Sequence, residues 1–457
     1  SLNPLPIWTT PFQPDVFAIA AVIGFGVPFL ATAYPVLRAL RVSPLDALAP
    51  GDLSVRTTGR QLTALMRLLR VPGGTLAMMP MRAIFRSPRR TLLTALGVGT
   101  MLAVLIAFLG TFDSFAETVD RAEAEIVQDA PGRVLVNLDR VYPVSSPEVE
   151  AILALESVDR SILAVDARAM LVRGDTEVEV VLQVFDLENN LWNPTVERGG
   201  FSSNEPGLVI SEKAAHDLDV WPGDRLTLRH PMRTGPTTFA LRETEILVSA
   251  IHPHPMRFVA YLNSEHIGLF GLTGAVNKVH LFPASGYSGD DLKRHLFDLS
   301  AVRTVAEVTA QIDTFSALFE SIEVVLQVVL VAVFIMVLLI AFNAVSINFD
   351  ERAREYATMF AFGISLPTML RVAVVEALLV GVLSSAVGLL VGLILMSWIV
   401  DVRIPGTMPD IGIIKSISTP SLLLSVGVGV MAVGAAPLLT IRRLRRMDVA
   451  ATLRVLG

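Results

Sequence analysis

The chain has 457 residues, of which 52% are hydrophobic and 18% charged, against roughly 25% charged in an ordinary soluble domain. A formal net charge of −6 makes no case for nucleic-acid binding, and the absence of cysteine excludes disulfides and zinc–thiolate sites. The mean hydropathy of +0.58 comes from apolar residues gathered in runs, several of them long enough for the about 20 residues that a membrane-spanning helix needs.

In chain order, five segments read as spans: residues 16–37, which contain Pro28 and Pro35, then 91–112, 324–349, 372–400 and 422–439. Prolines are tolerated in such helices when neighbours satisfy the freed carbonyls. The chain opens on Ser1 and a Pro-rich lead with no signal peptide, so a fragment of a longer protein is expected. Residues 76–90 are apolar on one face and carry Arg82, Arg86, Arg89 and Arg90 on the other. That pattern predicts an amphipathic helix lying in the inner membrane interface.

Basic residues set the orientation. Arginines crowd residues 38–90, the 352–371 connection and the 442–454 tail, which places all three in the cytoplasm. Residues 401–420 and the long segment 113–317 then fall outside. The outer segment alternates β-type runs at 133–138, 178–185, 225–228 and 245–251 with helical patterns at 147–155, 211–218 and 290–299. Ser211 is a candidate N-cap. An α+β domain inserted in a membrane helical bundle is the expected fold class.

The tail of the first span (Arg38, Arg41, Ser43) matches that of the fifth (Arg442, Arg446, Asp448), each basic cluster being followed by a capped short helix. Residues 1–50 therefore read as the last span and tail of an upstream copy of the same helical unit. Residues 51–75 read as a cytoplasmic linker and 76–112 as the interfacial helix plus a span. The outer domain follows at 113–317, and three spans with a cytoplasmic tail occupy 318–457.

Signatures of catalysis are missing from the sequence. None of its four lysines (Lys213, Lys278, Lys293, Lys415) completes a phosphate-binding loop. Gly286-Tyr287-Ser288-Gly289-Asp290 misses the nucleophile-elbow spacing by one residue. All seven histidines lie in the outer segment. Of these, His252-Pro253-His254-Pro255 invites a metal reading, but neither cysteine nor helical His spacing supports it, and a polar loop is the default.

Two stretches carry a resemblance. Asn343 to Glu355, running on to Ala361-Phe362-Gly363 with Glu376 in the next span, resembles the signature of FtsX-like permeases, the MacB and LolC/LolE type of ABC transporter subunit. Met81 to Gly97 is similar to that family's segment leading into its first span. Val209 to Ala215, followed by Gly223-Asp224, resembles its MacB-like periplasmic core domain. The resemblance implies a non-enzymatic subunit of a bacterial inner membrane, with ATP and Mg bound by a separate ABC ATPase. It also implies that Glu351, Arg352, Arg354, Glu355, Met359, Phe360, Phe362 and Gly363 form the ATPase-coupling segment. The family often has a basic residue where this chain has Met359-Phe360.

The resemblance further implies partners: membrane lipid, a periplasmic adaptor, lipoprotein or cell-wall enzyme, and either a homodimer or a pseudo-dimer with the upstream half. From the residues themselves, Glu376 is the one charge within the spans, with Arg371 a candidate partner. It serves either a proton or substrate relay or a structural interhelical bond. Asn343 is a second intramembrane polar group. Gly381, Gly388 and Gly392 permit close helix approach, in a dimer or within the bundle. A signalling receptor with a ligand-binding outer domain is the alternative function.

Overall fold

The computed structural model describes residues 14–39, 81, 84, 88–128, 130–201, 205–235, 238–297, 299–351 and 358–440. The linker, most of the interfacial helix, the matching tails and residues 352–357 lie outside the described residues. The chain divides into two compact units, Ser1–Arg70 and Val71–Gly457. Within the first, helix α1 (Pro14–Ala39) covers the first expected span; its apolar stretch Phe17–Ala33 is shorter than the spans of the second unit.

In the second unit, four helices are long and apolar enough to cross a membrane, over Thr91–Val127, Gln327–Ile347, Leu366–Thr407 and Thr419–Leu439. Helix α2 (Pro88–Val127) begins on a proline, whose missing N–H is harmless at a first helical position. It does not end at residue 112 as the hydropathy predicts. Its 40 residues span about 60 Å, twice the roughly 30 Å hydrocarbon thickness. No Pro or Gly interrupts residues 112–127, so the helix continues into water as a stalk and stops at Gln128, whose φ is +46°. The fall in hydropathy marks the edge of the lipid, not the end of the helix.

The outer domain follows. It consists of β1 (Val134–Pro143), α3 (Pro147–Leu153), β2 (Val158–Arg173), β3 (Thr176–Phe185), β4 (Arg198–Gly199), β5 (Gly207–Ser211), α4 (Glu212–Leu218), β6 (Arg225–Arg233), β7 (Phe239–His252), β8 (Val259–Asn263), β9 (Ala275–Pro283), α5 (Gly289–Phe297) and β10 (Val302–Glu307). Ser211 caps α4 through its hydroxyl, which accepts from the Ala214 N–H at 3.2 Å. The strands run in the order β10-β1-β9-β2-β3-β8-β5-β7-β4, with β6 bridging β2 and β7. The long strand β2 joins two cores: its first half pairs with β9 and its second half with β3 and β6. On the β9 side, α3 and α5 bury Val149, Ile152, Leu292 and Leu296 against Val134, Val136 and Val279. On the β3 side, α4 adds Ala214 and Leu218 to Leu171, Leu182, Leu208 and Leu228.

The chain returns through α6 (Ala310–Glu351), α7 (Leu366–Trp398), a π-helical turn (Ile399–Arg403), α8 (Ile404–Thr407) and α9 (Thr419–Leu439). Helix α6 starts 14 residues before the expected span, again because its helix begins in water (324 − 310). Val98 and Leu102 of α2, Val337 and Ala341 of α6, Ala377 of α7, and Ala432 and Val433 of α9 share one core. All four helices therefore belong to one bundle.

Candidate functional site

Three places hold the candidate functional side chains: the inner turn before α7, the interior of the bundle, and the outer segment between α8 and α9.

At the inner turn, Glu351 is the last residue of α6 and Arg352, Arg354 and Glu355 lie outside the described residues. A helical turn at Thr358–Ala361 is closed by two bonds, Gly363 N–H to the Phe360 carbonyl (3.0 Å) and Ile364 N–H to the Met359 carbonyl (3.1 Å). This is a Schellman closure, which needs a left-handed residue, and Gly363 supplies it with φ +82°. Ser365 and Pro367 then open α7 directly. The sharp reversal leaves Phe362 82% and Phe360 47% exposed, while Met359 is half-buried.

Inside the bundle, the small residues sit at helix crossings within this chain. A Cβ on Gly388 would come 2.7 Å from Leu102 Cβ, and one on Gly392 would come 2.8 Å from Ile106 Cβ, so α2 and α7 meet backbone to backbone. Gly381 likewise faces Val430 of α9 at 3.1 Å. Glu376 is half-buried and engaged by a neighbour, Arg371 is exposed, and Asn343 is exposed on α6.

The outer segment after α8 forms a strap that sequence reading did not single out. Its inner edge is fastened to the stalk. Ser114 accepts the Ser416 N–H (3.1 Å), Thr118 accepts the Ile414 N–H (2.9 Å), and the Asp113 carboxylate accepts the Ser418 N–H (2.8 Å). Ser114 and Thr118 are buried and lie one helical turn apart, hence on one face of α2. The strap's other edge is fastened to the outer domain. Arg257 N–H donates to the Asp410 carbonyl and Gly412 N–H to the Pro255 carbonyl, each at 2.8 Å, with Met256 and Ile411 paired between them. The Arg257 guanidinium also reaches Asp410 at 2.5 Å and Asp217 at 3.4 Å. Residues 401–420 thus lie on the domain's side of the bundle, in agreement with the charge-based orientation.

The His-Pro-His-Pro motif shapes the loop that receives the strap. His252 Nε2 faces the Val259 carbonyl at 3.1 Å and so donates, while its Nδ1 accepts the His254 N–H at 3.3 Å. His254 Nδ1 accepts the Met256 N–H at 3.1 Å. Both nitrogens of His252 are engaged, which disfavours a metal, and among the described residues no cluster of three metal-ligating side chains occurs. Burial pushes His252 down to about 3, with His254 adding to the shift, and pushes His254 down to about 4. Both rings are therefore neutral acceptors at neutral pH. Sequence reading offered a polar loop; the structure has these histidines inside, 0% and 6% exposed.

The stalk residues that fasten the strap had one legible signal. Polar side chains recur at positions 114 and 118 in a segment without helix breakers, which extends the helical period beyond the apolar run.

Residues 327–449 match the model of the FtsX-like permease C-terminal family. No curated protein matches the chain. Among solved structures, the periplasmic region of MacB from Actinobacillus actinomycetemcomitans is 9% identical, with a TM-score of 0.29, covering 42% of this chain and 98% of that one. The extracellular domain of the noncanonic ABC-type transporter YknZ from Gram-positive bacteria is 10% identical, with a TM-score of 0.25, covering 40% and 94%. With four helices long and apolar enough to span a membrane in one bundle and an α+β domain inserted after the first of them, the chain is built as a multi-pass membrane protein, and its C-terminal part resembles the FtsX-like permeases.

Proposed function

We propose that the permease converts ATP hydrolysis by a separate ABC ATPase into movement of its outer domain. The observation that carries the proposal is the strap, hydrogen-bonded to the stalk along one edge and to the Pro255–Arg257 loop along the other. A shift of α7 against α2 pulls on both edges, so the outer domain follows the spans. The inner turn supports the input end: it joins α7 with no slack, and Phe360 and Phe362 offer an apolar anchor for a partner's pocket. Export, lipoprotein extraction and mechanical activation of an outer partner all use such a stroke. Glu376 is the one charged residue in the spans expected from the sequence, and this scarcity favours mechanical transmission over a solute path.

The test is retention of the ABC ATPase in mild detergent. Phe362→Asp, at a site 82% exposed, leaves the fold intact and reduces co-purification of the ATPase. Glu351→Lys with Glu355→Lys does the same. Undiminished association in both variants would remove the inner turn from the proposal.

A further inference from the structure

Where the stalk enters the outer domain, a cavity of about 230 Å³ lies under the end of α2. Arg133, Trp192 and His280 line it together with Ile126. Arg133 is 2% exposed. One of its terminal nitrogens donates to the Ile126 carbonyl at 2.6 Å, at the stalk's C-terminal end, and the guanidinium lies 4.0 Å over the Trp192 ring. The other terminal nitrogen is 3.4 Å from His280 Nδ1. A guanidinium only donates, so Nδ1 accepts, and the neutral ring carries its proton on Nε2.

Among the described residues, three buried nitrogens in this wall then have no hydrogen-bond partner: Arg133 Nε, Trp192 Nε1 and His280 Nε2. All three are donors, so the group that would satisfy them is an acceptor. The charge balance points the same way. Asp166 and Glu307 also line the cavity, but each is already paired, with Lys278 at 2.9 Å and with Lys293 at 2.8 Å. Glu125, on the stalk nearby in sequence, accepts the Thr195 N–H at 2.8 Å. The hydrogen bonds of Arg133 go to neutral acceptors only. Burial lowers Arg133 to about 10, which leaves it charged at neutral pH, and holds His280 well below its ordinary range, which leaves it neutral. Among the described residues Arg133 therefore makes no ion pair, and the wall offers three unused N–H groups.

We propose that this cavity binds a small oxyanion group, a carboxylate or phosphate, through the N–H groups of Arg133, Trp192 and His280, with Leu135, Val181 and Val308 covering a short apolar substituent. The ligand would sit at the joint between stalk and domain, so its occupancy would stiffen that joint. The group has two sources, a free acid or an anionic lipid headgroup.

Calorimetric titration of the full chain in neutral detergent tests the site, using sodium hexanoate, inorganic phosphate and, in mixed micelles, phosphatidylglycerol against phosphatidylcholine, with chloride balancing ionic strength. Saturable binding of at least one anion is expected, with Kd below about 1 mM. Arg133→Gln weakens it at least tenfold. Trp192→Phe, which keeps the ring and removes one donor, weakens it severalfold and serves if the arginine variant does not fold. Binding of hexanoate or phosphate identifies a free acid; binding of phosphatidylglycerol alone, with the same loss in the variants, identifies a headgroup. Failure of all three anions to bind folded protein, or binding unchanged in both variants, overturns the proposal and leaves the donors to water.

Discussion

Replacing Ser114 by Ala and Thr118 by Val removes two of the strap's three side-chain bonds to the stalk, leaving the Asp113 carboxylate on the Ser418 N–H. Both hydroxyls are buried, and Val keeps the shape of Thr. Each substitution removes the acceptor of one strap amide, Ser416 N–H at 3.1 Å and Ile414 N–H at 2.9 Å. Those two strap residues are half-buried, so water replaces part of the lost bond. A net cost of about 0.5–1.5 kcal/mol per bond follows, or about 1–3 kcal/mol for the pair. Since about 1.4 kcal/mol is a factor of ten in an equilibrium, the strap's opening constant rises roughly 5- to 150-fold. Hydrogen exchange followed by mass spectrometry reads this directly. Peptides covering residues 411–418 should exchange faster by that factor, while peptides from β1 and β9 keep their rates. Unchanged exchange across 411–418 would refute the assignment of these bonds as the strap's fastening.

Other outcomes follow from the same geometry. Gly388→Ala and Gly392→Ala force α2 and α7 apart, because the new methyls meet Leu102 and Ile106 at under 3 Å; each should cost about 1–3 kcal/mol, seen as a lower unfolding temperature in detergent. Gly24→Ala in α1, where no heavy atom of the described residues lies within 4 Å, serves as the control. Gly363→Ala places a Cβ at φ +82° and should cost about 1–2 kcal/mol, with weaker ATPase association if the inner turn is the docking point. Acid should loosen the loop that receives the strap. His252 and His254 are held at about 3 and about 4, below their unfolded value near 6.5. The unfolded chain therefore binds the extra protons, and the stability these rings contribute is complete above about pH 6.5 and lost as pH falls toward 4 and then 3. At pH 5 the loss is about 2 kcal/mol per ring. The outer domain's unfolding temperature should fall between pH 7.5 and 5, and less so in His254→Asn; an equal fall in that variant would count against the histidines.

Four of the five expected spans and the α+β character of the outer segment were legible because each rests on local pattern: apolar runs and turn residues. Ser211 was legible for the same reason, since a cap acts within three residues. The helix ends were not. Hydropathy fades at residue 112, but the backbone of α2 continues because residues 112–127 contain no breaker. The strand order was also hidden, since β2 divides its pairing between β9 and β3 by contacts distant in sequence. For the glycines, sequence left open a dimer or the bundle; the structure has Gly388 and Gly392 against α2 of the same chain. For the His-Pro-His-Pro motif a polar loop was the default, and what it did not convey is that both rings are buried. Burial, which no spacing encodes, makes those rings acceptors for backbone N–H groups. Arg133 passed unnoticed as one arginine among many, because what sets it apart is the missing acceptor around it.

The central claim is that the strap carries motion from the spans to the outer domain. The chain has no cysteine, so Asp175→Cys on the β2–β3 turn and Ser365→Cys at the start of α7 accept spin labels at those two points alone. Both sites are exposed. In a complex with the proposed ABC ATPase, pulsed electron resonance should record a different label separation with and without bound ATP. In the Ser114→Ala, Thr118→Val background that difference should shrink by more than half while ATP hydrolysis continues. A full-sized difference in the loosened strap would contradict the account.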